Sequence, residues 1–166
     1  MMPGDQRPDL SFTRLRETDD LADVVALEAA SFTNPWSREV LERDLRNTDV
    51  VRVYALRDTG GTLLGFCGCW FVSGELHINT LAIAEPARRR GHATRLLRFV
   101  LAEALAAGLT RATLEVRRSN DAALRLYDRF GFSVEGIRPD YYTQPVEDAL
   151  ILWNRKLGFL DSDTEP

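Results

Sequence analysis

The chain has 166 residues, of which 45% are hydrophobic and 28% charged, with a formal net charge of -4. That length and mix suit one domain with a single sizeable core. The acidic balance argues against a sequence-independent nucleic-acid binder, which needs a basic surplus, and no apolar run approaches the roughly 20 residues that span a bilayer.

Residues 1–10 are polar with two prolines and read as a flexible N-terminal tail without the pattern of a secretory signal. Phe12 to Arg16 alternates apolar and polar, which predicts a first strand. Thr18 ahead of Asp19 and Asp20 is a candidate helix cap, and Leu21, Val24 and Leu27 share one face of the helix that follows. Pro35 interrupts the pattern, and Ser37 is placed to cap a second helix with Val40, Leu41 and Leu45 inward. Val50 to Leu56 and Leu63 to Val72 are β-rich runs joined by Asp58-Thr59-Gly60-Gly61-Thr62, a hairpin signal. Cys67 and Cys69 would point to one face of their strand, and so short a loop cannot close an ordinary disulfide. Two unpaired thiols suit a reducing, cytoplasmic setting.

Leu76 to Ile83 reads as another strand. The clearest helix in the chain follows: Ala93, Leu96, Leu97, Val100, Leu101, Ala104 and Leu105 keep the i, i+3, i+4, i+7 spacing until Gly108. Arg111 to Arg117 alternates strictly, with Ala112, Leu114 and Val116 on one face and Thr113, Glu115 and Arg117 on the other. Asn120 is a candidate cap for a helix whose inner face is Ala123, Leu126, Tyr127 and Phe130. Two strand-like runs, Ser133 to Ile137 and Asp148 to Trp153, precede an acidic C-terminal tail over 158–166. The order predicts an α+β fold over residues 11–157, with a mixed, largely antiparallel sheet flanked by helices in a single domain.

One junction in this plan has chemical content. A strand ending at Leu81-Ala82-Ile83 runs into Arg88-Arg89-Arg90-Gly91-His92-Ala93-Thr94, and this turn opens the best helix. The first N–H groups of a helix lack internal partners and, with the helix dipole, form an anion site. Gly91 lets an anion approach the backbone. The arginines add positive charge. The loop is neither a Rossmann fingerprint nor a Walker loop.

Here the sequence resembles the GCN5-related N-acetyltransferases (GNAT). Arg88-x-x-Gly91-x-Ala93 matches that superfamily's Q/R-x-x-G-x-G/A motif inside a strand–helix–strand setting. Within the superfamily it is most similar to the bacterial ribosomal-protein-alanine N-acetyltransferases of the RimI type. That likeness rests on Phe32-x-x-Pro35-Trp36-Ser37, the string Leu114-Glu115-Val116-Arg117-x-Ser119-Asn120, Tyr127 seven residues beyond Asn120, Arg138-x-x-Tyr141-Tyr142, and Glu147-Asp148. Ala93 and Arg88 stand where glycine and glutamine are more frequent, and residues 59–77 carry little of the likeness.

The resemblance implies acetyl-coenzyme A as co-substrate. Leu81, Ala82 and Ile83 would pair with the pantetheine arm, Arg89 to Thr94 would cradle the pyrophosphate, and Asn120 would contact the coenzyme near its reactive end. It also implies direct transfer in a ternary complex, with Glu115 as base and Tyr127 as acid. The acceptor it implies is the N-terminal segment of a small-subunit ribosomal protein beginning with alanine. An α-amine has a pKa near 7.7–8.0 against about 10.4 for lysine, so near neutral pH about a tenth or more of it is already neutral. A single carboxylate then has a modest task.

Other readings stay open from the residues alone. Glu115 could be a sheet-surface carboxylate paired with Arg117 or Arg14, and Tyr127 a core tyrosine. Trp36, Tyr141 and Tyr142 could line a peptide groove or simply pack. Glu39, Glu42 and Glu147 could attract a basic peptide or simply be solvated surface charges. The whole could act on lysines or a small amine, or only bind acyl-coenzyme A, although a module that only binds has no need of both Glu115 and Tyr127. His77 and His92 are far apart and no His/Cys cluster exists, so no metal is expected. A monomer without direct nucleic-acid or membrane partners is the expectation.

Overall fold

The computed structural model describes residues 9–158. The chain runs β1 (Ser11–Arg14), α1 (Ala22–Ser31), α2 (Arg38–Leu45), β2 (Val51–Arg57), β3 (Leu63–Val72), β4 (Glu75–Ile83), α3 (His92–Ala106), β5 (Arg111–Arg117), α4 (Asp121–Arg129), β6 (Ser133–Tyr142) and β7 (Glu147–Asn154). One turn of 3-10 helix occupies Glu85–Ala87 between β4 and α3. The expected terminal tails fall almost wholly outside the described residues.

The strands form one sheet in the order β1-β2-β3-β4-β5-β7-β6, in which only β4 and β5 run parallel. This is the mixed, largely antiparallel sheet that the element order predicted. Residue alternation decides which face each side chain takes. Tyr54, Leu56, Cys67, Cys69, Leu114 and Val116 face α3 and α4, where Leu96, Leu97, Val100, Leu101 and Leu126 complete the larger core. Val53, Ala55, Phe66 and Ala82 face the other way and meet Leu21, Val24, Leu41 and Leu45 from α1 and α2. Burying each such leucine or valine stabilises the fold by about 1.5–3 kcal/mol relative to leaving it in water. Between the two layers, Val53 to Leu56 is buried without alternation, as a strand covered on both faces should be.

Three local expectations shift. The first helix starts at Ala22 rather than after Thr18, because the acidic pair takes over the turn. Asp19 Oδ2 accepts from the Arg16 N–H at 2.7 Å and Asp20 Oδ1 from the Ala22 N–H at 3.0 Å. The first strand ends at Arg14. The sixth strand extends past Ile137 to Tyr142 through Pro139, which an edge strand tolerates because nothing requires the missing N–H. Ser37 and Asn120 do cap their helices: each side chain accepts a bond of 3.2 Å, from the N–H of Val40 and of Ala123.

Candidate active site

The central feature is where two strands part. β4 and β5 pair from Glu75–Arg111 to Ile78–Leu114 and no further. A bulge in the β3–β4 ladder falls at the same level, since Gly68 faces Thr80 while Cys69 faces Ile78 and Asn79 is left over. Bulges bend and twist a strand, and this one turns the rest of β4 away from β5. Beyond the bulge the ladder alternates normally, with the Ala84 N–H bonded to the Leu64 carbonyl. Alternation by two then turns the N–H and C=O of Ala82 toward β3, and those of Leu81 and Ile83 toward the edge facing away from it. Of the coenzyme-pairing residues expected in this strand, Leu81 and Ile83 present free-edge backbone and Ala82 presents a buried side chain.

The gap opens into a cleft of about 520 Å³, the size of a small-ligand site. It gathers Leu81, Glu115, Asn120 and Tyr127 with Trp36 from the α1–α2 loop and Tyr141 and Tyr142 from the end of β6. Residues far apart in the chain thus share one wall-to-wall space. Ala82, Ile83 and the 88–94 loop are not part of its lining. They continue from it along β4.

In that loop Arg88 Nε donates to the Ile83 carbonyl at 3.0 Å, closing over the end of the free edge. Arg89 and Gly91 both adopt positive φ, at 62° and 76°. A Cβ added at Gly91 would meet nothing within 4 Å, so the backbone there faces open space. His92 is buried and its Nδ1 has no partner. Burial, with Arg95 and Arg90 nearby, holds its imidazole below the ordinary pKa. Ala93 and Thr94 are half-buried, and Thr94 Oγ1 accepts from Arg129 at 3.4 Å.

On the β5 wall every charge is engaged. Glu115 Oε1 lies 2.8 Å from Arg138 Nε, a partner on β6 rather than Arg117 or Arg14. Tyr141 lies near enough for the Glu115 carboxylate to push its pKa up. Arg117 instead binds the Thr143 and Pro145 carbonyls at 3.2 and 3.1 Å, meets Glu147 at 3.4 Å and lies 4.4 Å over the Tyr142 ring. Burial first, then Glu115, pushes Tyr142 to about 12. Glu147 is drawn below the carboxylate range by bonds from Ser119 and Arg117, so it ties the β6–β7 turn to β5.

Tyr127 is both a core residue and part of the lining. It is 6% exposed, packs edge-on against Phe132, and its pKa is raised far above the usual phenol value, chiefly by burial. Trp36 likewise does both. Its ring lies against β3 where a Cβ at Gly68 would come within 3.0 Å of it, so glycine is what lets the indole seat.

The opposite wall holds groups that sequence reasoning missed. Glu28 of α1 is 3% exposed. Its Oε1 accepts from the Trp36 N–H at 3.2 Å, and its Oε2 is buried without a partner. Burial raises its pKa. Ser31 Oγ and Thr80 Oγ1, also on the lining, are buried and unpartnered. A signal existed: Leu21, Val24 and Glu28 follow helical spacing, which puts a carboxylate on the apolar stripe. Among the described residues, no three His, Cys, Asp or Glu side chains group as metal ligands would, and no helix is long and apolar enough to cross a membrane. Cys67 and Cys69 are free and buried.

A family profile described as Acetyltransferase (GNAT) family matches residues 21–132. The ribosomal protein bS18-alanine N-acetyltransferase of Escherichia coli (strain K12) is 31% identical over 139 residues, covering 82% of this chain and 91% of that protein. The N-alpha-acetyltransferase RimI of Mycobacterium tuberculosis is 34% identical over 129 residues, covering 74% and 78% respectively. The crystal structure of the Escherichia coli ribosomal-protein-S18-alanine N-acetyltransferase superposes with a TM-score of 0.81 at 26% identity, over 95% of this chain and all of that one.

Proposed function

The chain belongs to the acetyltransferase (GNAT) family, and from that premise we propose that it transfers acetyl from acetyl-coenzyme A to the α-amine of a protein N-terminus, the alanine end of a small-subunit ribosomal protein. The observation that carries this reading is the convergence on one cleft, where β4 and β5 part, of Glu115, Tyr127 and aromatic side chains from both flanking loops. The activity named for the relatives, which match over most of this chain, supports the choice of acceptor.

The residues fit the coenzyme. Open space at the positive-φ Gly91 and the unpaired first N–H groups of α3 form a cradle for an anion, with Arg89 and Arg90 exposed beside it. The free-edge backbone of Leu81 and the N–H of Ile83, whose carbonyl already accepts from Arg88, would hold the pantetheine arm as an added strand would be held. Asn120 spends its Oδ1 on the α4 cap and keeps its NH2 for the coenzyme. When bound, acetyl-coenzyme A supplies the activated acetyl group and a thiolate leaving group. Glu115 takes the proton from the amine as nitrogen attacks. Tyr127 donates a hydrogen bond to sulfur. Even an unperturbed phenol, at pKa 10 against about 8.5 for a thiol, would transfer its proton at a cost of about 2 kcal/mol. Burial moves Tyr127 further in that direction, so it stabilises developing charge and does not lose its proton early.

The test is thiol release from acetyl-coenzyme A in the presence of peptides with varied first residues, blocked termini or internal lysines, and of polyamines. Release with unblocked alanine peptides alone is the expected result. Activity confined to polyamines or to blocked lysine peptides would overturn the proposal.

A further inference from the structure

The two carboxylates in the cleft differ in what already holds them. Glu115 is paired with Arg138 at 2.8 Å. Glu28 has one oxygen committed to the Trp36 N–H and the other committed to nothing, although the residue is 3% exposed. A buried carboxylate oxygen without a donor is rare and costly in native proteins. Here it does not stand alone. Ser31 Oγ and Thr80 Oγ1 are unpartnered too, and all three residues line the same cleft. Thr80 Oγ1 and the Trp36 ring both lie over Gly68, each within 3.0 Å of where a Cβ would stand. Glu28 and Ser31 of α1 and Thr80 of β4 thus line the cleft together with an indole, and no ion pair among the described residues reaches the Glu28 carboxylate.

We propose that Glu28, with Ser31 and Thr80, is the subsite that receives the acceptor's amine while it is still an ammonium ion, and that it is a specificity-determining element of the cleft. The proposal rests on the acetyl-transfer reading above. An ammonium group brings three donors and one positive charge, which is what a carboxylate oxygen and two hydroxyls lack. In a buried setting the attraction is strong and the desolvation of both partners is offset only when they meet. The ammonium held by Glu28 gives one proton up to solvent to free its lone pair, Glu115 takes the second as nitrogen attacks, and Glu28 favours the positive charge that nitrogen carries in between. A free amine is thereby selected over a blocked or hydroxyl-bearing end.

The experiment measures binding of two peptides to the enzyme saturated with coenzyme A: one beginning with alanine, the other with propionyl in its place, which lacks only the amine. Wild type should prefer the amine peptide by about tenfold or more, the scale of a hydrogen bond to a charged group. Glu28→Gln keeps an oxygen for the Trp36 N–H and removes the charge, so it should abolish the preference. It should leave affinity for the propionyl peptide and the KM for acetyl-coenzyme A unchanged. If Glu28 only props the α1–α2 loop, Glu28→Gln will retain the preference, and the proposal is overturned. If Glu115→Gln abolishes the preference instead, the amine is held on the β5 wall and the proposal also fails. Absence of acetyl transfer to any α-amine by wild type would sink the catalytic reading instead, a result separable from either.

Discussion

The two walls of the cleft are built on opposite terms. On the β5 wall the charges are paired, Glu115 with Arg138 and Glu147 with Arg117, beside Tyr141 and Tyr142. The facing wall, built by α1 and the far half of β4, leaves Glu28, Ser31 and Thr80 with polar atoms unmet. Paired charges are held in one geometry before anything binds, which suits a group that must be aimed at a reacting atom. An unsatisfied wall gains most when a ligand arrives. The difference separates aiming from receiving, and substitutions on each side should fail in different ways.

The largest effect is expected at Glu115. Glu115→Gln should lower kcat/KM by about 10²- to 10⁴-fold, the range of a lost general base, with little change in binding of either substrate. Steady-state kinetics checks this, and retention of more than about a tenth of the rate would remove the β5 wall from proton transfer. A control outside both walls comes next. Gly91→Val forces a β-branched residue to the positive φ of 76° and fills the open space beside the loop. It should weaken acetyl-coenzyme A binding at least about tenfold, since such strain costs on the order of 1–3 kcal/mol, and equilibrium binding should show acceptor affinity intact. Arg138→Met tests how much the pairing of Glu115 contributes. The pair is half-exposed, so its loss should cost only about 0.2–1 kcal/mol, read as a few-fold fall in kcat.

The smallest effect is one of stability. Burial raises the folded-state pKa of Glu28 above its unfolded value. Between those two values the folded protein keeps a proton that the unfolded chain has released, so stability falls as pH rises through the window. Glu28→Gln removes this penalty. Its Tm should exceed that of wild type by an amount that grows as pH rises from the ordinary carboxylate value of 4.5, while its preference for the amine falls. Thermal melts across pH check this. A Tm difference that shrinks with rising pH would show that Glu28 is not held protonated by burial.

Much of the fold was legible because its signals are local. The α3 stripe from Leu96 to Leu101 and the alternation of Arg111 to Arg117 are set by neighbours within one turn or two strand residues. Caps at Ser37 and Asn120 were equally local. Thr18 misled because Asp19 and Asp20 competed for the same turn, and propensity does not rank such rivals. At the site, Glu115 and Tyr127 could be named from their strings, but not Glu115's partner. Arg138 reaches it only because β7 lies between β5 and β6 in the sheet. Glu28 was passed over because a charged residue amid an apolar stripe reads as surface until its burial is known.

What the sequence determined by itself is the set of elements, the basic, glycine-bearing turn at Arg88 to Ala93 that opens α3, and the presence of a carboxylate and a phenol on β5 and α4. These depend on periodicity, capping and chain-local chemistry. The tertiary structure alone decided where β4 leaves β5, and therefore that a cleft exists. It also decided that Leu81 and Ile83 hold the free edge, that Glu115 is engaged, and that Glu28 is buried with an oxygen unmet. Each of these is a relation between segments brought together by packing, and no spacing along one chain encodes the register or burial that creates it.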